Sequence, residues 1–311
     1  MSKIETALRL AARADWTTLH RRWTINMARW RVNQHGGRAF VHHDLGFPFV
    51  CHPDWPGSLE AFLSRSGDFW EFDLLRAWLE PGDTFLDIGA NIGQYAAAAA
   101  AIVGTRGTIV AVDADAFAVR KLEEAMKLLR HDRVIPVHAA VTDRTGIIEF
   151  FVHPDRVQTE IQSLRPAPHQ RARTQRLVVP AHTLQSLARL HLGDAPSAVK
   201  VDIEGAEAQA LASVPEGWLG PEGPLWIVEI NPSALEPFET SPWDVAGRFA
   251  DGAFEILLLP KHPYDPRSRP ALRPLRSDEA FADSVFYNLV AIPRGPGWRE
   301  RAMRVGSFVR A

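Results

Sequence analysis

Residues 87–93 read Asp87-Ile88-Gly89-Ala90-Asn91-Ile92-Gly93. Just upstream, Thr84–Gly89 is nearly all apolar and of strand length, and just downstream Gln94–Val103 is an apolar run of helical length. A glycine-rich turn between a buried strand and a helix is the entry to a doubly wound α/β sheet. Such sheets bind ligands beyond the carboxyl ends of their strands, where the strand order reverses. Gly89 and Gly93 allow tight turns and close approach of the backbone to a ligand. The free amides of the following helix favour a negatively charged group.

Working outward, the pattern repeats. Strands are expected at Thr84–Gly89, Thr108–Ala114, Val134–Val141, Ala198–Ile203, Leu225–Ile230, Glu255–Leu259 and Val285–Ile292. Helices are expected at Gln94–Val103, Ala116–Arg130, Leu184–Leu192, Ala206–Ser213 and Trp243–Asp251. Apolar strands alternating with helices imply a mainly parallel sheet covered on both faces. Two insertions interrupt the alternation: an extra strand at Ile147–Val152, and a Pro-, Arg- and Gln-rich stretch at 154–176 that reads as an exposed loop. A loop of that length inside a domain is often functional.

The loop chemistry narrows the ligand. A nicotinamide fingerprint needs Gly-x-Gly-x-x-Gly, but Asn91 and Gln94 occupy its second and third glycine positions. Asp87, at the strand end, would repel a pyrophosphate and suits a ligand with an ammonium group, such as the methionine part of S-adenosylmethionine. Asp113 closes the second strand 24 residues after Gly89, about where an acid accepts both ribose hydroxyls. Taken singly, Asp87 could cap the helix and Asp113 could be a turn residue; together, at this spacing, they favour a nucleoside cofactor.

From here the chain resembles the FkbM-type methyltransferases. The likeness is carried by Pro81-Gly82-Asp83 leading into DIGANIGQY (87–95), Ala139–Asp143, Ser163-Leu164, Thr183-Leu184, Val199-Lys200-Val201-Asp202-Ile203-Glu204-Gly205-Ala206-Glu207, Val228–Pro232 and Asn288–Ala291, in order over about 68–293. One departure is Asp113-Ala114, where the family usually carries Glu-Pro; an aspartate reaches ribose with a shorter arm. The resemblance implies a class I methyltransferase sheet of seven strands with the last antiparallel, S-adenosylmethionine as cofactor, and transfer to an oxygen of a sugar, polyketide or other small molecule. Asp87, Gly89, Asn91, Gly93, Asp113 and Val141 are then the candidate cofactor-binding residues. Flanking this domain are an N-terminal extension, 1–67, and a basic tail, 294–311.

Asp202 and Glu204 lie two residues apart at the end of the fourth strand, so alternation puts them on one side while the strand persists. Glu229 and Asn231 repeat that spacing on the fifth. Asp202, Glu204 and Glu229 are the candidate catalytic residues, since a hydroxyl acceptor must lose a proton and crowded carboxylates hold protons more readily. Asp202, Glu229 and Asn231 could alternatively hold Mg²⁺, which prefers oxygen ligands. The structural alternative is that Glu204 caps the next helix. Lys200 is placed to pair with Asp202, and Glu207 reads as a solvated first-turn acid. The histidines show no HExxH or CxxC setting, which disfavours zinc. Trp70 and Phe72 read as core or as the floor of the site.

Composition bounds the rest. One cysteine, Cys51, excludes an internal disulfide framework, and with no signal peptide the chain reads as cytoplasmic. The longest apolar run, Tyr95–Val103, is too short to span a membrane, which takes about twenty residues. Net charge is −2, but residues 1–38 carry eight Lys/Arg against two Asp/Glu, and 294–311 carry five Arg against one Glu. The body, 39–293, is therefore at −12, which disfavours a nucleic-acid groove. The rivals are a methyltransferase acting on RNA or an amide nitrogen, and a non-catalytic binding module on the same fold. An amide enzyme's Asn-Pro-Pro-aromatic tetrad is broken by Ser233. A small-molecule or glycan substrate is the expected partner. In the N-terminal segment Trp16, Trp23 and Trp30 recur every seven residues among arginines, one helical face drifting by about 20° per step. Packing within the protein or in a homodimer is preferred there over a membrane surface.

Overall fold

A computed structural model describes residues 39–42, 47–55, 69–153, 162–166, 173–261, 272–283 and 285–309, with the single positions Trp30, Val32, Gln34, Ser58 and Arg171. The expected N-terminal helices, with Trp16 and Trp23, and positions 154–161, 167–170 and 172 of the 154–176 loop lie outside the described residues. Trp30 is exposed.

In chain order the main elements are β1 (Phe40–His42), β2 (Phe49–Cys51), α1 (Phe69–Trp78), β3 (Thr84–Ile88), α2 (Gln94–Val103), β4 (Thr108–Asp113), α3 (Ala116–Leu129), β5 (Val134–His138), β6 (Ala140–Val141), β7 (Gly146–Val152) and β8 (Gln175–His182). There follow α4 (Leu184–His191), β9 (Ala198–Val201), α5 (Glu207–Leu211), β10 (Leu225–Ile230), α6 (Pro232–Leu235), α7 (Pro242–Ala246), β11 (Phe254–Lys261), β12 (Arg273–Pro274), β13 (Phe286–Pro293) and α8 (Arg299–Val309).

The main sheet runs β12-β11-β13-β10-β9-β3-β4-β5. Strands β5, β4, β3, β9 and β10 are parallel, and β13 is inserted antiparallel between β10 and β11. This is the class I methyltransferase-like sheet, with its last strand antiparallel. It has eight strands rather than seven because the two-residue β12 pairs onto the edge of β11. The chain steps outward from β3 to β4 to β5, then returns to place β9 on the other side of β3. The order therefore reverses at β3 and β9, and the crevice there is the expected ligand position.

Alternation divides each strand between two cores. Ile109 and Ala111 of β4, and Leu225 and Ile227 of β10, join the layer holding α1, α2 and α3. Val110, Val112, Trp226, Val228 and Ile230 join the opposite layer, with Leu184, Leu187, Ala210 and Phe249. The same alternation assigns Asp87, Lys200, Glu229 and Asn288 to the first face, so one polar row crosses an apolar sheet under α1 and α2.

Local chemistry sets the helix ends. Asp115 caps α3 by accepting the Phe117 amide at 2.9 Å, and a Thr183–Ser186 capping box opens α4. The expected strand 134–141 divides in two: the Ala139 amide makes the last bond to β4, at the Asp113 carbonyl (3.0 Å), and the pairing with β4 ends there. Beyond that turn β6 joins β8 and β7 in a separate three-stranded sheet. Strand β8 begins at Gln175, inside the stretch expected to be loop.

Arg301 and Arg304 of the C-terminal helix bind the body of the domain. Trp298 stacks on Trp78 at 5.2 Å, and Trp78 Nε1 donates to the Ser197 carbonyl at 2.8 Å. Arg301, 15% exposed, pairs with Glu80 at 3.0 Å and with Asp83. Among the described residues no helix is long and apolar enough to cross a membrane.

Replacing Arg301 with Ala takes the cation from the largely buried Asp83, while Glu80 keeps Arg304, and should cost about 2 kcal/mol in urea unfolding. Arg276→Ala, which removes an exposed pair with Asp278, should change stability by less than about 0.5 kcal/mol. Equal effects in the two variants would contradict this account of α8.

Candidate functional site

Three loops meet at the carboxyl ends of β3, β4 and β9. Gly89 has φ +79°, and a Cβ there would lie 1.7 Å from the Asp202 carbonyl oxygen, so only glycine permits this contact. The Asp202 amide donates to the Ile88 carbonyl at 2.9 Å, and the Gly89 and Ala90 amides share the Val112 carbonyl, each at 2.9 Å. The Asp113 carboxylate completes the knot: Oδ2 accepts the Asn91 amide and Oδ1 the Asp115 amide, both at 2.8 Å. Each oxygen keeps a further lone pair for an incoming hydroxyl. Asn91 itself has φ +51°, and its buried Oδ1 has no hydrogen-bond partner among the described residues.

Asp87 sits one level below. It is fully buried, and neither carboxylate oxygen has a hydrogen-bond partner among the described residues. Burial pushes its pKa up to about 7, partly offset by the charge of Lys200. Lys200 is its cross-strand neighbour on β9. The Lys200 ammonium, almost fully buried, donates to Asp202 Oδ2 at 2.7 Å and lies 4.4 Å from the centroid of the Tyr95 ring. The expected Lys200–Asp202 pair is thus present. Burial also raises Asp113, to about 6.

The acids expected to act together do converge: one carboxylate oxygen from each of Asp202, Glu204 and Glu229 lies within 4.8 Å of the others. The route differs from strand alternation. Strand β9 stops at Val201, and Glu204 has φ +52°, so a tight turn brings the acids together. Glu204 does not cap α5, whose N-cap is Ala206. Instead its carbonyl accepts the Ser163 hydroxyl at 3.0 Å, docking the described part of the long loop onto the site. Glu229 faces Asn288 across the β10–β13 ladder, and Asn288 Nδ2 donates to Glu71 of α1.

Two candidates stand apart. Asn231 Oδ1 accepts from the Ala234 amide at 3.3 Å and the Ser233 hydroxyl at 2.7 Å, so it is engaged at the start of α6. Val141 is buried in the core of the opposite face. Glu207 corrects the sequence reading: it is 2% exposed rather than solvated. Tyr95 and Phe72, whose rings lie 5.0 Å apart, are buried in the core of the first face. Gln162, which donates to Asp115 Oδ2 at 3.3 Å, was hidden in a stretch without periodicity.

Residues 87–239 match the family model described as the methyltransferase FkbM domain. The chain therefore carries a domain of the FkbM family, a class of S-adenosylmethionine-dependent methyltransferases. The matched segment is narrower than 68–293 but contains every candidate residue. Among solved structures, the chain is similar to a methyltransferase FkbM from Methylobacillus flagellatus KT, at 14% identity and a TM-score of 0.42, covering 74% of this chain and 52% of that one. It thus spans about half the length of that protein. It is also similar to an S-adenosylmethionine-dependent O-methyltransferase from Thermotoga maritima, at 14% identity and a TM-score of 0.36, covering 71% and 63% of the two chains. Fibrillarin from Aeropyrum pernix, in complex with natively bound S-adenosyl-L-methionine, is similar at 15% identity and a TM-score of 0.37, covering 72% and 74%. No curated protein matches the chain.

The raised acids give opposite pH trends for folding and binding. A carboxyl raised in the folded state binds its proton more tightly there than in the unfolded chain. Its stabilising contribution is complete below the ordinary carboxylate range and is lost as pH rises through about 7 for Asp87 and about 6 for Asp113. Urea stability of the free protein should therefore gain less, or fall, between pH 4 and 7 relative to Asp87→Asn. Affinity for the cationic S-adenosylmethionine, measured by calorimetry, should rise over pH 5.5 to 7.5 as these groups ionise. Affinity that is flat across that range would contradict the electrostatic account.

Proposed function

We propose that this chain is an S-adenosylmethionine-dependent O-methyltransferase acting on a hydroxyl of a small molecule or sugar. The observation that carries the reading is the carboxylate cluster standing beside the glycine loop at the switch point. Asp113 and the Asn91 amide lie where ribose hydroxyls would be held. The buried Asp87 carboxyl, beneath the loop, provides when ionised a negative field that favours a cationic ligand without touching it. Gly89 keeps that surface free of side-chain atoms. When bound, S-adenosylmethionine supplies a methyl group on a sulfonium, open to in-line attack by an oxygen.

Asp202, Glu204 and Glu229 would orient the acceptor hydroxyl, and one of them would take its proton. Orientation of this kind can supply about 7 kcal/mol of the barrier. A general base within hydrogen-bond reach adds a factor of about 10²–10⁴. Lys200 holds Asp202 in place and balances part of the cluster's charge. That pairing, together with the engagement of Asn231 in its cap, favours a carboxylate base over a Mg²⁺ site. The acidic body of the chain favours a small-molecule or glycan acceptor over RNA.

Labelled S-adenosylmethionine, incubated with the protein and fractionated polar metabolites or glycans, should give a product heavier by one labelled methyl on oxygen. With that acceptor, Asp202→Asn should lower kcat about 100-fold or more and leave cofactor affinity within about three-fold. EDTA should have no effect. Full activity of Asp202→Asn would remove the carboxylate from the mechanism, and inhibition by EDTA reversed by Mg²⁺ would replace the base with a metal.

A further inference from the structure

Glu207 is one of the best-buried acids in the protein, and the reaction above does not use it. Its Oε1 accepts two backbone amides, Ile203 at 3.0 Å and Gly205 at 3.2 Å. Those two residues flank Glu204. Glu204 has φ +52°, a conformation that non-glycine residues rarely adopt and that needs support from its surroundings. On its far side the turn has no room to move: a Cβ on Gly205 would lie 2.0 Å from the Ala234 carbonyl oxygen of α6. The turn that brings Glu204 to Asp202 and Glu229 is thus wedged against α6 and tied from within by one carboxylate.

We propose that Glu207 is the positioning residue of the acid cluster: by binding the Ile203 and Gly205 amides it holds Glu204 in its left-handed turn, with its carboxylate converged on Asp202 and Glu229. The inference rests on the reading of these three acids as the acceptor side of the site, and it assigns Glu207 no contact with substrate or cofactor. Two amide donors converging on one carboxyl oxygen, out of water, tie both flanks of Glu204 to a single atom. The other oxygen, Oε2, is buried with no hydrogen-bond partner among the described residues. An amide nitrogen can therefore replace Oε2 without breaking the clamp, whereas aspartate is too short to span both amides from the same backbone position.

Terbium(III) reports convergence of the three carboxylates without any methyl acceptor. Luminescence titrations with Tb³⁺, and calorimetry with S-adenosylhomocysteine, should be run on the full chain and on Glu207→Ala, Glu207→Asp and Glu207→Gln. The wild type should bind Tb³⁺, and Asp202→Asn should weaken that binding. Glu207→Ala and Glu207→Asp should bind it at least tenfold more weakly, with S-adenosylhomocysteine affinity within three-fold of wild type. Glu207→Gln should stay within three-fold of wild type for both. If Glu207→Ala fails to fold, Glu207→Asp carries the comparison. Wild-type-like Tb³⁺ binding in Glu207→Asp, a parallel loss of S-adenosylhomocysteine affinity, or a wild type that does not bind Tb³⁺ would overturn the proposal. A wild type that binds Tb³⁺ but not S-adenosylhomocysteine would instead refute the cofactor reading and leave the role of Glu207 standing.

Discussion

The site depends on one backbone contact, the approach of Gly89 to the Asp202 carbonyl. It fixes the glycine loop and the acidic turn as a single unit at the point where the strand order reverses. Any side chain at position 89 would force the two loops apart. The hydrogen bonds from Asp202 to Ile88, from Gly89 and Ala90 to Val112, and from Asn91 to Asp113 all tighten the same seam. The glycine loop and the acidic turn are therefore not two surfaces that happen to be near each other. They share a wall one backbone thick, which suits a reaction that must align three atoms.

Charge is the second constraint. Asp87, Asp113, Asp202, Glu204, Glu207 and Glu229 lie in this small region, and Lys200 is bonded to one of them, Asp202. Water alone does not offset the rest, because Asp87 and Glu207 are buried and their carboxyls are both raised to about 7. The fold meets this cost differently at each acid: two amides for Asp113, two for Glu207, an ammonium for Asp202, and no hydrogen-bond partner among the described residues for Asp87. A buried carboxylate only partly offset by Lys200 in the free protein is stabilised by a cationic ligand, so part of the binding energy of S-adenosylmethionine would come from relieving it.

Much of this was legible in the residues. Strands buried on both faces leave unbroken apolar runs, so β3, β4, β9 and β10 are visible as such, and the glycines and acids at their ends mark the crevice. The two-residue spacing of Asp202 and Glu204 correctly placed them together, although a left-handed turn rather than strand pleat does so. What escaped depends on long-range contacts. Glu207 has the signature of an ordinary first-turn acid, and only folding of the preceding turn over it makes it a buried clamp. Strand β8 alternates exposed and buried residues within Arg- and Gln-rich sequence, which masked its period. Helix α1 shows as an aromatic pair only, because its covering partners, α8 and β13, lie more than two hundred residues away.

A crystal structure of the full chain grown with S-adenosylhomocysteine tests the central claim most directly. The account predicts ligand along Gly89–Gly93, with its ribose hydroxyls on Asp113 and its sulfur facing the Asp202–Glu204–Glu229 cluster. Ligand bound elsewhere, or at the same crevice with its sulfur turned away from those three acids, would contradict it.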